Sequence, residues 1–375
     1  MHEKKLAYIE RLAECHSKKQ FSKEILDTLS NDKLLNDLLF YYREARLQHN
    51  DNDPLLTRSY GRRLNADRKL IMEPAITRLF SNYLGVYDIK YQDDAKFAIC
   101  LTHDVDHIYP PIHHTALSLF YCLKALNPKR YHEYISWNYK GKEYSPYINF
   151  SNIMDVEEKY NAKSSFYFLA TESDIKGSRY EIEVLENELC NIMDKDWEIG
   201  LHGGYYTFNN LDNMKLEKKR LEQVLGTKIS GYRNHYLQFK IPDTWELLSK
   251  AGFKYDTTFG YNDMVGFRNG ICCPFNPFNI HDCDTIDILE IPLNIMDSSL
   301  FGMAKSPKDA WDITKKCIDM TERYQGTLTL LWHNNTFNNP FRDTWSKLYE
   351  KILRYCNEKN AWMTSANMIC RNLRR

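Results

Sequence analysis

The chain contains 375 residues with 50 basic and 50 acidic side chains, so its formal charge at neutral pH is zero. This balance argues against a protein that binds nucleic acid through a strongly basic surface. The longest apolar run, residues 115–126, is much shorter than the roughly 20 residues of a membrane-spanning helix. Charged residues occupy the N-terminal stretch where a signal peptide has its apolar run, and ten scattered cysteines without a CxxC pair indicate free thiols. We therefore expect a cytoplasmic protein without a membrane span.

The first 95 residues have a helical pattern. Apolar residues at three- and four-residue spacing predict helices over residues 5–18, 22–29, 32–48 and 67–84, and the polar stretch 49–54 predicts a loop. No cluster of catalytic residue types accompanies these helices. The sequence therefore predicts an N-terminal helical region, residues 1–95, that caps a second region, residues 96–375, or binds a partner.

From residue 96 onward, short apolar strands alternate with amphipathic helices. We predict strands at residues 96–102, 164–169, 197–202, 228–233, 253–256, 286–291, 327–332 and 361–363. Predicted helices occupy residues 151–160, 181–193, 211–225, 307–325 and 343–357, and another begins at Pro242. This alternation predicts an α/β fold with a parallel sheet, and seven or eight such units in about 280 residues favour a (β/α) barrel over an open sheet. The long segment 109–149 is predicted to be a lid or binding loop, or to contain a helix at 116–126.

Polar residues follow the predicted strands at their C-terminal ends, where the active site of such a barrel lies. They are Thr102 to His107, His202 to Tyr205, Arg233 to Tyr236, Asp256, and His333 with Asn334. Imidazole and carboxylate groups gathered at one rim are ligands for a catalytic divalent metal, zinc by default. A further carboxylate as general base and a histidine as general acid would complete a site for metal-assisted hydrolysis. Strand alternation predicts that Asp104 and Asp106 project to the same side and that His103 points away, in a structural or supporting role.

The order of these segments resembles the polysaccharide deacetylase family, carbohydrate esterase family four, over about residues 96–365. Thr102-His103-Asp104-Val105-Asp106 resembles the family's Thr-Phe-Asp-Asp motif, and Ile199-Gly200-Leu201-His202 resembles the start of its His-Ser/Thr-x-x-His motif. Arg233-Asn234-His235-Tyr236 is similar to Arg-x-Pro-Tyr, and Leu330-Leu331-Trp332-His333 to Leu-x-Leu-His. The resemblance implies a distorted (β/α) barrel with seven or eight strands. It also implies that Asp104 is the catalytic base, that Asp106 and His202 bind the metal, and that His333 is the general acid.

Two departures from the family pattern leave assignments open. The spacing Asp-Val-Asp makes the base and ligand roles of Asp104 and Asp106 exchangeable. In addition, Tyr206 occupies the place of the second histidine of the His-x-x-x-His motif. Because a catalytic zinc usually has three protein ligands, we predict that His235 replaces that histidine, with His107 as the alternative.

Weaker signals concern residues beside this set. Arg233 is predicted to orient Asp104 through a charge-assisted hydrogen bond, or else to form a salt bridge at the barrel rim. Asp256 is predicted either to hydrogen-bond a ligand or substrate, or to cap a turn. Glu290 and Asp297 flank a further strand end and are additional candidates.

The function predicted from these residues is hydrolysis by a divalent metal enzyme, which removes an N- or O-acetyl group from an amino sugar or a polysaccharide precursor. One alternative is an amidohydrolase that cleaves a carbon–nitrogen bond in a non-sugar substrate, because a fold does not fix a substrate. Another is a catalytically inactive, sugar-binding barrel, which the loss of a motif histidine at Tyr206 would permit. Metal content and a substrate panel separate the three.

Overall fold

The computed structural model of the chain describes residues 2–14, 20–40, 72–84, 89–172, 174 and 179–374. Within these ranges there are eleven strands and fourteen α-helices, numbered here in chain order. The strands are β1 Phe97–Val105, β2 Ser165–Leu169, β3 Glu198–Gly203, β4 Gly231–Asn234, β5 Tyr255–Asp256, β6 Phe278–Asn279, β7 Asp284–Thr285, β8 Leu289–Glu290, β9 Leu293–Met296, β10 Thr327–Leu331 and β11 Ala361–Thr364.

The helices alternate with the strands along the chain, and four of those in the described ranges precede β1. They are α1 His2–Glu14, α2 Lys23–Asn31, α3 Lys33–Leu39, α4 Ala75–Leu84, α5 Ile112–Lys124, α6 Pro128–Lys140, α7 Phe150–Glu158, α8 Glu186–Asp194, α9 Leu211–Leu225, α10 Asp243–Lys250, α11 Asp297–Met303, α12 Pro307–Arg323, α13 Asp343–Glu358 and α14 Ala366–Leu373. None of the helices in the described ranges is long and apolar enough to cross a membrane.

Nine strands form one parallel sheet in the order β8-β5-β4-β3-β2-β1-β10-β9, with β11 paired to the first half of β1. All nine residues of β1 are buried, as expected for a parallel strand that is covered on both faces. The strands at the two ends of this order, β8 and β9, are separated in the chain by only Ile291 and Pro292. The sheet must therefore curl so that its two edge strands come near each other. This distorted barrel confirms the predicted fold class.

The N-terminal helices pack against the long connection between β5 and β8. The Tyr8 ring lies 4.9 Å from the Phe278 ring, and the Tyr8 hydroxyl donates to the carbonyl of Asn276. The backbone carbonyl of Gly270 accepts from the N–H groups of both Ile76 and Thr77. Residues of these helices share one hydrophobic cluster with the barrel. A helical N-terminal region is thus present, while the boundary at residue 95 stays a prediction.

Some predicted elements differ from the structure. The segment 109–149 is largely helical, because α5 and α6 form a hairpin there that extends well beyond the single helix considered at 116–126. The strand expected at 286–291 is only two residues long, and β9 follows it immediately as a separate strand. The short antiparallel pair β6–β7 was not predicted. Parts of three predicted N-terminal helices, 15–18, 41–48 and 67–71, and the loop 49–54 lie outside the described residues.

Candidate metal centre and active site

Three strand ends bring Asp106, His202 and His235 together at the C-terminal rim of the barrel. Each offers one ligand atom, and these three atoms lie within 4.8 Å of one another. His202 Nε2 is 3.2 Å from Asp106 Oδ1, and His235 Nε2 is 3.6 Å from the same oxygen. Asp106 directly follows β1, His202 lies in β3, and His235 directly follows β4. The three predicted ligands are therefore neighbours.

The far sides of both imidazole rings are occupied by hydrogen-bond acceptors. His202 Nδ1 is 3.0 Å from the carbonyl oxygen of Arg233, and His235 Nδ1 is 2.7 Å from Asp174 Oδ2. With an N–H at each Nδ1, a neutral ring presents its Nε2, on the side that faces Asp106, as the donor atom to a metal. Histidines that bind metals in proteins are oriented in this way by a carbonyl or carboxylate behind the ring.

The electrostatics of the cluster also suit a cation. Burial alone would raise the pKa of Asp106, but His235, His202 and His333 together lower it well below its usual value. Burial lowers the pKa of His235, and the carboxylates of Asp106 and Asp174 outweigh this and raise it to about 9. The negative potential that holds a proton on His235 would also attract a divalent ion. The donor set, its orientation and its charge thus fit a metal such as zinc.

Asp104 lies beside this cluster and is held by Arg233. Its Oδ1 accepts from Arg233 Nη1 at 3.1 Å, and its Oδ2 is 3.7 Å from His202 Nε2. Arg233 is fully buried, donates also to the Thr102 hydroxyl, and lies over the ring of Tyr167. The contact expected between Arg233 and Asp104 is therefore present, and it fixes one carboxylate oxygen while the other faces His202.

His333 lies just after β10, which neighbours β1 on the side away from β2 and β3. Its Nε2 is 3.8 Å from Asp106 Oδ2. Its Nδ1 is 2.8 Å from Asp297 Oδ1, and its backbone N–H donates to Asp297 Oδ2 at 2.8 Å. Burial lowers the pKa of His333, but Asp297 and then Asp106 raise it to about 9. His333 thus carries a proton next to the cluster.

These side chains open into one cavity of about 460 Å³. Its wall combines the acidic and imidazole groups described above with other polar and apolar residues. The further lining residues are His107, His114, Tyr236, Leu237, Asn262, Met296, Ser298, Asn335 and Arg342.

The remaining predicted residues lie in different places. His103 points away from the cavity and contacts the carbonyl of Trp332 and the carboxylate of Glu157, as strand alternation predicted. His107 lines the cavity and accepts from Arg179 Nη1 at 2.7 Å, but it is not part of the three-ligand cluster. Burial, the largest influence, lowers its pKa to about 4. Tyr206 is 55 % exposed, packs on Tyr205 and does not line the cavity.

Apart from Arg233, three weaker candidates were predicted, and of these only Asp297 reaches the cavity. Asp256 accepts from the N–H and hydroxyl groups of Thr258, and Glu290 accepts from the indole of Trp245. Both lie buried outside the cavity wall, and the bonds from Thr258 to Asp256 are those of the turn cap that was considered for it.

Sequence reasoning missed Asp174, which contacts the candidate metal ligand His235 and also residues near it. Besides its contact with His235, it accepts from the backbone N–H of Tyr205 and forms an ion pair with Arg179. Asp174 follows β2 by five residues. It lacks the position directly at a strand end that singled out the other residues, so no pattern in the sequence marks it.

Comparison with known proteins identifies the fold. No family model matches the sequence, and no curated protein matches it. Among solved structures, a candidate polysaccharide deacetylase from Mycobacterium smegmatis is similar with a TM-score of 0.52 and 17 % identity, covering 76 % of this chain and 92 % of that one. Puue allantoinase has a TM-score of 0.50 and 13 % identity, covering 75 % and 91 %.

A second candidate polysaccharide deacetylase, from Pseudomonas aeruginosa PAO1, has a TM-score of 0.50 and 13 % identity, covering 75 % of this chain and 92 % of the other. At such low identities the similarity establishes the fold alone. The chain therefore has the fold of the polysaccharide deacetylases, with a cluster of Asp106, His202 and His235 at the rim where active sites lie in such barrels.

Proposed function

We propose that this protein is a metal-dependent hydrolase that removes an N- or O-acetyl group from an amino sugar or a polysaccharide precursor. The observation that carries the proposal is the Asp106, His202 and His235 cluster, placed next to the Asp104–Arg233 pair in one cavity. Similar structures named as deacetylases support acetylated sugars as the substrate class. The expected cytoplasmic location favours a soluble, nucleotide-linked or lipid-linked sugar.

Each side chain has a role that its contacts allow. A zinc ion held by Asp106, His202 and His235 would supply a more acidic water and a polarised acyl carbonyl. Asp104, with one oxygen held by Arg233, accepts the proton of the attacking water. The bond from the acyl carbon to the sugar nitrogen or oxygen then breaks. His333 gives its proton to that leaving atom, so the products are acetate and the free sugar group.

The contacts also favour one of the two aspartate assignments. Asp106 Oδ1 is within 3.6 Å of both candidate histidine ligands, whereas Asp104 is engaged by Arg233. A carboxylate bound to a guanidinium is less available as a ligand but well placed as a fixed base. We therefore propose Asp106 as the ligand and Asp104 as the base.

The test is acetate release from N-acetylglucosamine oligomers, a nucleotide-linked N-acetyl sugar and an O-acetylated sugar, measured together with metal content. We expect acetate from at least one of these with near-stoichiometric metal, and loss of both in His202→Ala. Glu172→Gln, on an exposed side chain, is the control. Metal-loaded protein that releases no acetate from any of them would contradict the proposal.

A second candidate is hydrolysis of a non-sugar amide, which the similarity to an allantoinase favours. The same residues would serve, because the chemistry at the acyl carbon is alike. Turnover of allantoin or another cyclic amide without acetate release would select this alternative. Protein purified without bound metal and without either activity would instead indicate the inactive sugar-binding barrel.

A further inference from the structure

The first helix of the hairpin, α5, has its polarity reversed relative to an ordinary surface helix. Its buried residues are Ser118 and Cys122, and Ser118 hydrogen-bonds the side chain of Asn339. Most of its exposed residues are large and apolar, with Leu123 61 % exposed and Ile112 90 % exposed. A helix on a soluble surface normally presents the opposite arrangement, with its apolar face towards the core.

The exposed apolar residues are concentrated on this hairpin. Twelve large hydrophobic side chains are exposed in the described part of the chain, and eight of them lie between residues 112 and 144. They define what we call the hairpin patch: Ile112, Leu117, Phe120, Tyr121, Leu123, Leu126, Tyr139 and Tyr144. Such a concentration of exposed apolar side chains is typical of an interaction site.

The charge around the hairpin patch indicates what covers it. Residues 111–140 contain four Lys and Arg but one Glu, although the whole chain is neutral. Arg130 is paired with Asp343, whereas Lys124, Lys129 and Lys140 are exposed. A two-fold contact between copies would bring these positive charges together, which opposes dimerisation through this face. An anionic lipid surface would instead attract them.

We propose that the hairpin patch binds the surface of a membrane that contains anionic lipid. Phe120, Leu123 and Leu126 would enter the boundary between headgroups and acyl chains, and the lysines would contact the headgroups. Aromatic and aliphatic side chains combined with lysines are typical of helices that lie in a membrane interface. Membrane binding by the hairpin patch does not depend on the proposed chemistry. The two are neighbours in the structure, however, because α5 also carries His114, which lines the cavity.

The test is sedimentation of the full-length protein with vesicles of phosphatidylcholine alone and with vesicles that also contain phosphatidylglycerol. We expect roughly tenfold stronger binding to the anionic vesicles, weakened by salt. The double variant Phe120→Ser, Leu123→Ser should reduce this binding by roughly tenfold or more, because two apolar anchors are lost. Lys124→Glu with Lys129→Glu should remove the preference for phosphatidylglycerol.

The matched control is Leu216→Ser on α9, since Leu216 is 59 % exposed but lies outside the hairpin patch. It should bind vesicles as the unmodified protein does. Light scattering after size-exclusion chromatography tests the competing occupant, a second copy of the chain. No vesicle binding, equal loss in Leu216→Ser, or a dimer that Phe120→Ser, Leu123→Ser dissociates would each overturn the proposal.

Discussion

Asp104 and Asp106 are chemically identical side chains two residues apart, and their partners distinguish them. Asp104 is held by Arg233 on one oxygen, while Asp106 faces two imidazole rings. We expect Asp104→Asn to retain bound metal and to lose activity by about 10²- to 10⁴-fold, since an amide cannot accept the proton of water. Metal analysis and acetate release measure the two effects.

The control for this prediction is Asp106→Asn, which should lose metal and activity together. An exchanged result, with metal absent from Asp104→Asn and present in Asp106→Asn, would mean that the two carboxylates have each other's role.

A further residue-level prediction concerns Asp174, which contacts the far nitrogen of His235. Replacing this carboxylate by an amide weakens the hold on the ring and makes the imidazole a poorer donor to a metal. We expect Asp174→Asn to lower metal affinity by about 10- to 100-fold, as measured by competition with a chelating dye. Glu172→Gln, two residues earlier and exposed, should leave the affinity unchanged. Equal affinities in all three proteins would show that Asp174 has no role in the site.

At the scale of residues, the side chains at the ends of strands could be predicted from the sequence. The residues that contact and orient those side chains could not. His202, His235 and His333 were recognisable because each lies at the end of a predicted strand or within two residues of it. Asp174 is the fifth residue after its strand, so only the three-dimensional path of the chain brings it behind His235. The charge of His235 also depends on this contact, and no sequence pattern contains it.

At the scale of elements, α7 is joined to the sheet by one buried carboxylate. Glu157 accepts hydrogen bonds from four buried groups, those of His103, Ser164, Trp197 and Tyr349. Glu157→Ala would leave these polar groups without their acceptor. We expect a loss of about 3–5 kcal/mol in the free energy of unfolding, measured by urea denaturation.

Glu158 provides the control, because it is the next residue on the same helix and is exposed. Glu158→Ala should change the free energy of unfolding by less than about 0.5 kcal/mol. Similar losses in the two variants would indicate that helix α7 is sensitive to any substitution and that the buried network is not the cause.

Strands β5 and β8 carry two buried carboxyl groups at paired positions, Asp256 and Glu290. Burial raises the pKa of Asp256 to about 6, and burial together with Asp256 raises that of Glu290 well above its usual value. The folded state therefore retains protons that the unfolded state releases above about pH 4. By linkage, stability falls as pH rises from about 4 through 6 and beyond.

Asp256→Asn should make this fall shallower, because the amide stays neutral and can donate a hydrogen bond to Glu290. The free energy of unfolding should then exceed that of the unmodified protein by on the order of 2 kcal/mol at pH 7. Urea denaturation at several pH values measures the slope. A variant with the same slope as the unmodified protein would rule out this pair as its source.

The strands and helices of the barrel were largely predictable because apolar periodicity is strong where both faces of a strand are buried. Elements that are stabilised mainly by packing against other parts of the chain could not be predicted in this way. The two-residue strands β6 and β7 are too short to show a period. Helix α5 has apolar residues on its exposed face, so its pattern did not indicate a surface helix clearly.

At the scale of the whole molecule, the curl of the sheet converts distant sequence positions into neighbours. Asp106, His202 and His235 span 130 positions of the chain and lie at the C-terminal ends of β1, β3 and β4. Adjacent strands β2 and β3 pair along Ser165–Leu169, and Gly203 follows His202 where an added Cβ would overlap the Tyr232 hydroxyl. Close strand packing thus limits which residue can follow His202, and it helps to fix the geometry of the site.

A metal bound by these three residues would tie three strand ends together in the folded state only. We expect zinc, added to chelator-treated protein, to raise the melting temperature by several degrees, since a ligand at about 100 times its Kd stabilises by about 2.7 kcal/mol. His202→Ala should abolish this shift because a ligand is lost. His333→Ala should retain it, because His333 is proposed to donate a proton and does not bind the metal. Differential scanning fluorimetry measures all three proteins. A shift that survives in His202→Ala, or that disappears in His333→Ala, would place the metal on a different set of side chains.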